Sequence, residues 1–437
     1  RCADKGAVIR YTTDGSVPTE TSQRYTEPIA ISKSTVLRAA SFTDGKMPSQ
    51  VATADYLFVE PHTVPVVYID WDPADMQRVI RTTTSKGKTE HPATMSYYEA
   101  DGKLGLRFPC GIKPKGAGTL VYAQKSLSIN LRASYGQNEI SYPFFPNYEF
   151  TTFSALMLRN GGQDMPIARI RDAFCQNLAQ AEGLYLENTP TRPVAVYLNG
   201  AYWGLYDLSE DQNSEYLQTH YGVDGDTVDI IRRNAGALSG SNREFLRLRE
   251  YALNTTLSND DTFAQFAERI DVQYFTDYFI ASTYMCNTDM FNQKYWRSQD
   301  YSLKWRPVFF DLDFGFRNYK HSILEHYFSR DGVASADGSL THFEIYIGLR
   351  KNAAWRAYCA ERYVEVVVKY FNAERAVALL DEMVAERAPE MERQIARWGK
   401  PGSMKTWYAN ISTLRDAVQK RPEYALKHVA NFFGLSN

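Results

Sequence analysis

The chain has 437 residues, 44% of them hydrophobic and 23% charged, which excludes disorder and exceeds what one ordinary core accommodates. Its 49 basic and 51 acidic residues nearly cancel, so there is no electrostatic footprint for nucleic acid, and no apolar run approaches the ~20 residues that span a membrane. The 30 Tyr and 23 Phe suit a β-rich, carbohydrate-facing or secreted protein.

Residues 1–58 read as a small β-sandwich. Strand-like runs at 8–11, 29–31, 35–40 and 52–58 are separated by turn chemistry, clearest at Asp14-Gly15 followed by Pro18. The segment Tyr11-Thr12-Thr13-Asp14-Gly15-Ser16-Val17-Pro18 resembles the small β-domain at the C-terminus of chitobiase and β-hexosaminidase enzymes. Such modules space or dock catalytic domains, and Asp14 reads as a turn residue. The chain begins at Arg1 in mid-pattern, so we expect any signal segment to lie outside it.

A Pro-containing linker, 60–65, leads into a second domain expected over 66–437. Leu104, Leu106 and Phe108, then Leu127, Ile129 and Leu131, then Leu156 and Leu158 alternate like half-buried strands. Asp164-Met165-Pro166 predicts a helix running to about residue 181. Runs at 194–198 and 201–206 flank Asn199-Gly200, a strong hairpin signal. Residues 209–285 read as mostly helical, broken at 258–260. Aromatic strands follow at 294–296 and 305–310, then a loop-rich stretch at 317–345 and helix over 352–433. Mostly strand followed by mostly helix predicts an α+β fold of a sheet-rich and a helical lobe, with a ligand expected in the cleft.

Several familiar sites are absent. The sequence holds no phosphate loop of the G-x-x-x-x-G-K-[ST] type, no G-x-G-x-x-G, no H-E-x-x-H and no G-x-S-x-G. Cys2, Cys110, Cys175, Cys286 and Cys359 are odd in number and widely spaced, which indicates neither a disulfide framework nor a zinc site. His321, His326 and His342 share one region but match no zinc spacing.

What remains is a set of polar residues in apolar or Gly-rich settings. Lys113-Pro114-Lys115-Gly116-Ala117-Gly118 is a basic loop whose backbone N–H groups can cradle phosphate or merely turn. Lys125 enters a strand, where its ammonium can reach phosphates or snorkel. Glu210 can anchor that Lys or serve as a first-turn acid. Arg159-Asn160 and Asp164 bracket a Gly-Gly loop that suits a substrate-side rim or a helix start. Asp289 and Asn292, at i and i+3, share the face of a helical turn, with Asp289 placed to orient a hydroxyl and Asn292 to touch a metal. Asp311 and Asp313, at i and i+2, share the face of a strand. Two like charges in an apolar run need a cation such as Mg²⁺ or Ca²⁺ beside them, or else an Arg and solvent.

From about residue 66 to about 400 the chain resembles the CotH kinase family, the spore coat protein H type of atypical kinase. The matching pieces are Lys115-Gly116 with Lys125-Ser126, the Arg159-Asn160…Asp164 block, Tyr197-Leu198-Asn199-Gly200 through Glu210, Asn287-x-Asp289-x-x-Asn292, and Asp311-Leu312-Asp313-x-x-Phe316. The resemblance implies a two-lobed, atypical protein-kinase-like domain after the small β-sandwich. It further implies ATP- and Mg²⁺- or Mn²⁺-dependent phosphorylation of Ser/Thr on a protein acceptor, with Ser-rich proteins as the family's targets. Carried across, it makes Lys125 the phosphate-binding Lys with Glu210 its partner, Asp289 the catalytic Asp, and Asn292 and Asp311 metal ligands with Asp313 nearby. Where many members have Arg-Gly-Asn-Ser, this chain has Lys115-Gly116-Ala117-Gly118.

The fused β-domain leads us to expect an exported protein, periplasmic, surface-anchored or extracellular, with a possible surface-glycan association. Two alternatives stand beside the kinase. One is an exported scaffold or polysaccharide-associated protein with a degenerate kinase-like domain. The other is a metal-dependent hydrolase using Asp311 and Asp313.

Overall fold

Four antiparallel strands open the chain: β1 (Val8–Thr12), β2 (Gln23–Arg24), β3 (Thr35–Phe42) and β4 (Ala52–Tyr56), ordered β2-β1-β3-β4. The computed structural model describes residues 2–56, 61–146, 148–181, 183–232, 235–290, 292–328 and 343–435. Among them this segment makes one sheet, not the two layers of the expected sandwich. The run at 29–31 stays outside the ladder, and the short β2 takes the edge beside β1. The expected domain boundary near residue 58 lies outside the described residues, as does His342.

The chain divides into two units: Arg1–Asn160 with Arg192–Asp211 and Glu386–Lys400, and Gly161–Thr191 with Gln212–Ala385 and Pro401–Asn437. In the first, β5 (Val66–Trp71), β6 (His91–Tyr98), β7 (Leu104–Lys115), β8 (Ser126–Asn130), β11 (Ala155–Arg159), β12 (Thr191–Leu198) and β13 (Ala201–Glu210) close into a barrel. A short helix, α1 (Pro73–Ile80), follows β5 and is capped by Asp72. The two-residue strands β9 (Ile140–Ser141) and β10 (Thr152–Phe153) pair beside the barrel. Period-2 alternation turns Phe108, Cys110, Ile112, Leu127, Ile129, Leu156 and Leu158 into the core. Lys113, Lys115, Ser126 and Ser128 therefore fall on the opposite face of the same strands.

The Asn199-Gly200 hairpin forms as read, with φ of 47° and 83° at its two turn residues, both left-handed as a primed turn requires. The helical segment 386–398 closes this unit. Glu390 accepts from the Thr63 N–H at 2.7 Å and from the His62 ring at 2.7 Å. Gln394 accepts from the Leu205 N–H, and Trp398 donates to the Trp203 carbonyl. Gly204 makes this approach possible, because a Cβ there would collide with Gln124, Gln394 and Trp398. The small sheet is tied to the barrel by Arg38, whose guanidinium lies 2.8 Å from the buried Asp70.

The second unit carries α2 (Arg171–Ala179), α3 (Ser214–Tyr221), α4 (Arg243–Asn254), α5 (Asp260–Ala267), α6 (Val272–Tyr284), α7 (Glu344–Lys351), α8 (Ala353–Lys369), the first half of α9 (Ala373–Trp398) and α10 (Met404–Phe433). Among the helices lies a sheet of β14 (Val228–Arg232), β15 (Gly236–Ser239), β16 (Lys294–Ser298) and β17 (Arg306–Pro307), ordered β15-β14-β16-β17. The break read at 258–260 is real: α4 ends before it, and Asn259 caps α5. The 209–285 stretch is less helical than its pattern suggests, since β14 and β15 sit inside it.

The helix expected to start at Asp164 starts at Arg171. Asp164 is buried and spends its carboxylate on the N–H groups of Ala168, Ile170 and Arg171 and on the Arg171 guanidinium. It shapes the turn into the helix and gathers the first donors of α2, which otherwise lack partners.

Candidate functional site

Four of the residues singled out by sequence lie in the first unit: Lys115, Lys125, Arg159 and Glu210. Strand register decides how they relate. Glu210 of β13 stands opposite Leu156 of β11, and Leu156 stands opposite Ile129 of β8. Lys125 precedes β8 and is thus four residues from that level, about 13 Å along the strand at ~3.3 Å per residue. The Lys125–Glu210 pair implied by the resemblance is not formed. The buried Lys125 ammonium donates instead to the Leu120 carbonyl, and burial lowers its pKa.

The acidic partner in this unit serves Lys115. Its ammonium lies 2.7 Å from Asp211 Oδ1, and Asp211 also accepts from the Ser128 hydroxyl at 3.2 Å. Asp211 was missed by sequence reasoning. It follows Glu210 directly, so strand alternation puts it on the opposite face, the one Lys115 occupies. Arg159, at the end of β11, pairs in register with Asp207 of β13. Beside it, Asn160 bonds the Ser126 hydroxyl and the Gln124 carbonyl, fixing the approach to β8.

The other four, Asp289, Asn292, Asp311 and Asp313, lie in the second unit. They are placed from the end of α6. The buried Arg421 of α10 donates to the carbonyls of Thr283 and Tyr284, occupying the last acceptors of that helix. Cys286 then turns the chain with φ of 54°. Asn287 next makes two bonds at once. Its Oδ1 accepts from the Asp289 N–H at 3.1 Å, and its Nδ2 donates to the Asp311 carbonyl at 3.3 Å. The Asn292 N–H closes a turn on the Asp289 carbonyl at 3.1 Å, as the i, i+3 spacing suggests.

Asn292 Nδ2 donates directly to Asp311 Oδ2, so these two side chains are brought together. The expectation that Asp311 and Asp313 share a strand face is corrected. The strand ends at Pro307, and Asp311 is left-handed with φ of 59°. The cause is α2: Gln176 donates to the Phe309 carbonyl at 3.1 Å, and Asp172 accepts from the Leu312 N–H at 2.6 Å. Backbone groups that a strand would offer to a neighbour are taken by side chains. Asp313 is fully buried and accepts from the Gln163 N–H at 2.6 Å, whereas Asp311 is half-buried. The two carboxylates thus have different surroundings.

The same unit contains a small cavity of about 10 Å³, room for about one water molecule, walled by Tyr216, Tyr274 and Trp296 and edged by Glu187, Gln212 and Lys294. Sequence reading gave no signal for it, because its walls come from three separate stretches of chain.

Among the described residues no group of three or more His, Cys, Asp or Glu side chains converges as a metal cage. The Asn292–Asp311 pair nonetheless fits Mg²⁺, which takes one or two protein oxygens and fills its other positions with water and phosphate. Among the described residues no helix is long and apolar enough to cross a membrane.

The family model described as CotH kinase protein matches residues 112–425, and that of the chitobiase/beta-hexosaminidase C-terminal domain matches residues 1–53. No curated protein matches the sequence. The first match spans well over half of the chain and takes in every side chain of the site just described, so the chain belongs to the CotH kinase protein family.

Proposed function

We propose that this chain is an atypical kinase that transfers the terminal phosphoryl group of ATP to Ser or Thr of a protein acceptor with the help of Mg²⁺ or Mn²⁺. The observation that carries the reading is the direct contact of Asn292 with Asp311, an Asn and an Asp of the kind that hold the metal ions in protein kinases. Bound there, the metal supplies charge neutralisation for the phosphates. Asp311 and Asn292 would hold it, and Asp313 orients the turn through Gln163. Asp289, half-buried and fixed through Asn287, accepts the proton of the acceptor hydroxyl. Lys115 and Lys125 bind phosphate oxygens, and Arg159 contributes to the substrate-side rim.

A second reading, a scaffold with a degenerate kinase-like domain, is favoured by one observation. Lys125 points to a carbonyl and makes no pair with Glu210. In this reading the protein is exported and associates with surface glycan through its N-terminal sheet. Thermal unfolding with ATP and Mg²⁺ separates the two. Ligand at 100 times its Kd adds ~2.7 kcal/mol of stability. No shift at millimolar nucleotide favours the scaffold and overturns the kinase.

A further inference from the structure

The 116–120 loop after β7 is held by two lysines, and only one of them was legible as a site residue. Lys125 donates to the Leu120 carbonyl, and Lys88, which precedes β6, donates to the Gly116 carbonyl. Among the described residues neither ammonium makes an ion pair. Lys88 is half-buried, and its pKa is lowered by burial first and then by the neighbouring charges of Lys115 and Lys113. Cations thus gather on the Lys88 side of this loop: Lys88, Lys113 and Lys115, with Arg132 joined to Lys113 through Glu90. The carboxylates that bond to them are Glu90, shared between Lys113 and Arg132, and Asp211, held by Lys115. Folding gathers more positive charge here than it neutralises, an arrangement that costs stability unless an anion joins it.

The loop itself is shaped for close approach. Gly116 has φ of 103°, and a Cβ there would collide with the Thr119 hydroxyl. Thr119 brings a hydroxyl to a loop whose sequence, Lys115-Gly116-Ala117-Gly118, offers no polar side chain after Lys115.

We propose that Lys88 is a phosphate-binding residue that acts with Lys125 to hold the polyphosphate chain of the nucleotide at the 116–120 loop. Lys88 lies upstream of residues 112–425, the span matched by the family model, so it is a feature of this chain beyond that match. The carbonyl bonds of Lys88 and Lys125 are the resting state of the two ammoniums, which turn to phosphate oxygens when these arrive. The identification of the anion as a nucleotide rests on the kinase reading; the anion site itself does not.

The test is calorimetric titration at low salt of the full chain with inorganic triphosphate and, separately, with ATP and Mg²⁺. The variants are Lys88→Met, Lys88→Arg and the exposed neighbour Lys86→Met. Lys88→Met is expected to weaken triphosphate binding by about tenfold or more, a loss that Lys88→Arg largely restores and Lys86→Met does not reproduce. Equal affinity in Lys88→Met and the parent overturns the proposal, as does a parent that does not bind triphosphate. A parent that binds triphosphate in a Lys88-dependent way but ignores ATP keeps the proposal and overturns the kinase reading. Should Lys88→Met fail to fold, Lys88→Gln carries the same comparison.

Discussion

Asn292 and Asp311 meet side chain to side chain although 19 residues separate them, because Asn287 holds the Asp311 backbone while starting the turn that ends at Asn292. The contact is an amide N–H donated to a carboxylate, and turning the Asn292 amide over would put its oxygen beside that of Asp311, as a hard cation requires. The residues around them divide into those that hold the backbone, Asn287, Asp172 and Gln176, and those that present oxygen.

Asp311→Asn and Asp289→Asn should separate metal binding from chemistry. Asp289→Asn is expected to keep the stabilisation by ATP and Mg²⁺ and to lose phosphoryl transfer by roughly 10²–10⁴-fold, the usual worth of a general base. Asp311→Asn should lose both. Radiolabelled phosphate transfer together with thermal unfolding decides the matter, and wild-type rates in both folded variants would remove these residues from the mechanism.

The strand register makes a prediction about pairing. A double-mutant cycle on Lys115→Met and Asp211→Asn should return a coupling of about 0.5–1 kcal/mol, in line with a partly exposed pair. The same cycle on Lys125→Met and Glu210→Gln should return none, because the groups lie at different levels of the barrel. Urea unfolding measures both. A coupling at 125–210 equal to that at 115–211 would contradict the register.

Arg38→Met should destabilise the first unit by about 3 kcal/mol, the low end for breaking a buried ion pair, because Asp70 keeps only the longer contact with Arg107 at 3.7 Å. Asp70 is 1% exposed, and burial already raises its pKa against the opposing pull of Arg38. Asp70→Asn combined with Arg38→Met should recover much of the loss. Denaturant midpoints of the three variants test this, and a single Arg38→Met variant as stable as the parent would show that the pair holds nothing.

Acid should loosen the 386–398 segment. Burial works to raise the pKa of Glu390, but bonds from His62 and Thr63 outweigh it, and the net shift is downward. A depressed folded pKa gives stability that is present above the unfolded carboxylate value of about 4.3 and is lost as pH falls through the folded value. The stability gap between the parent and Glu390→Gln should therefore narrow as pH falls from about 5 to about 3. Urea titrations across that window measure it, and a gap independent of pH would exclude this linkage.

Local chemistry made some of the fold readable. Asn199-Gly200 announced its turn because few residues tolerate two left-handed positions in succession. The long apolar periodicity of 352–433 announced α8, α9 and α10. The metal-side residues were readable as types but not as geometry. Val308 through Phe314 looks like a strand, and side chains distant in sequence, Asp172 and Gln176 with Asn287, take the backbone groups that would have paired it. The error at Glu210 has the same origin. Lys125 and Glu210 belong to the same barrel at levels that only the strand register separates, while Asp211, one position on, holds a different lysine, Lys115. Lys88 lay outside every recognised block, and only its bond to Gly116 brings it to the loop.

The contact between Gly15 and Asn199 joins two turns that belong to different family matches. A Cβ at Gly15 would lie 3.4 Å from the Asn199 side chain, and one at Gly200 would lie 2.9 Å from the Ser34 carbonyl. The Asn199-Gly200 turn is thus seated against two stretches of the N-terminal sheet, the Asp14-Gly15 turn and Ser34. A designer grafting this N-terminal sheet onto another barrel would have to transplant Asn199-Gly200 along with it. In evolution, too, a side chain at Gly200 would have to displace the Ser34 backbone, and the positive φ at Gly15 and Gly200 disfavours any residue but glycine there. The two modules have become one inherited piece at this seam, although their sequences still advertise separate ancestries.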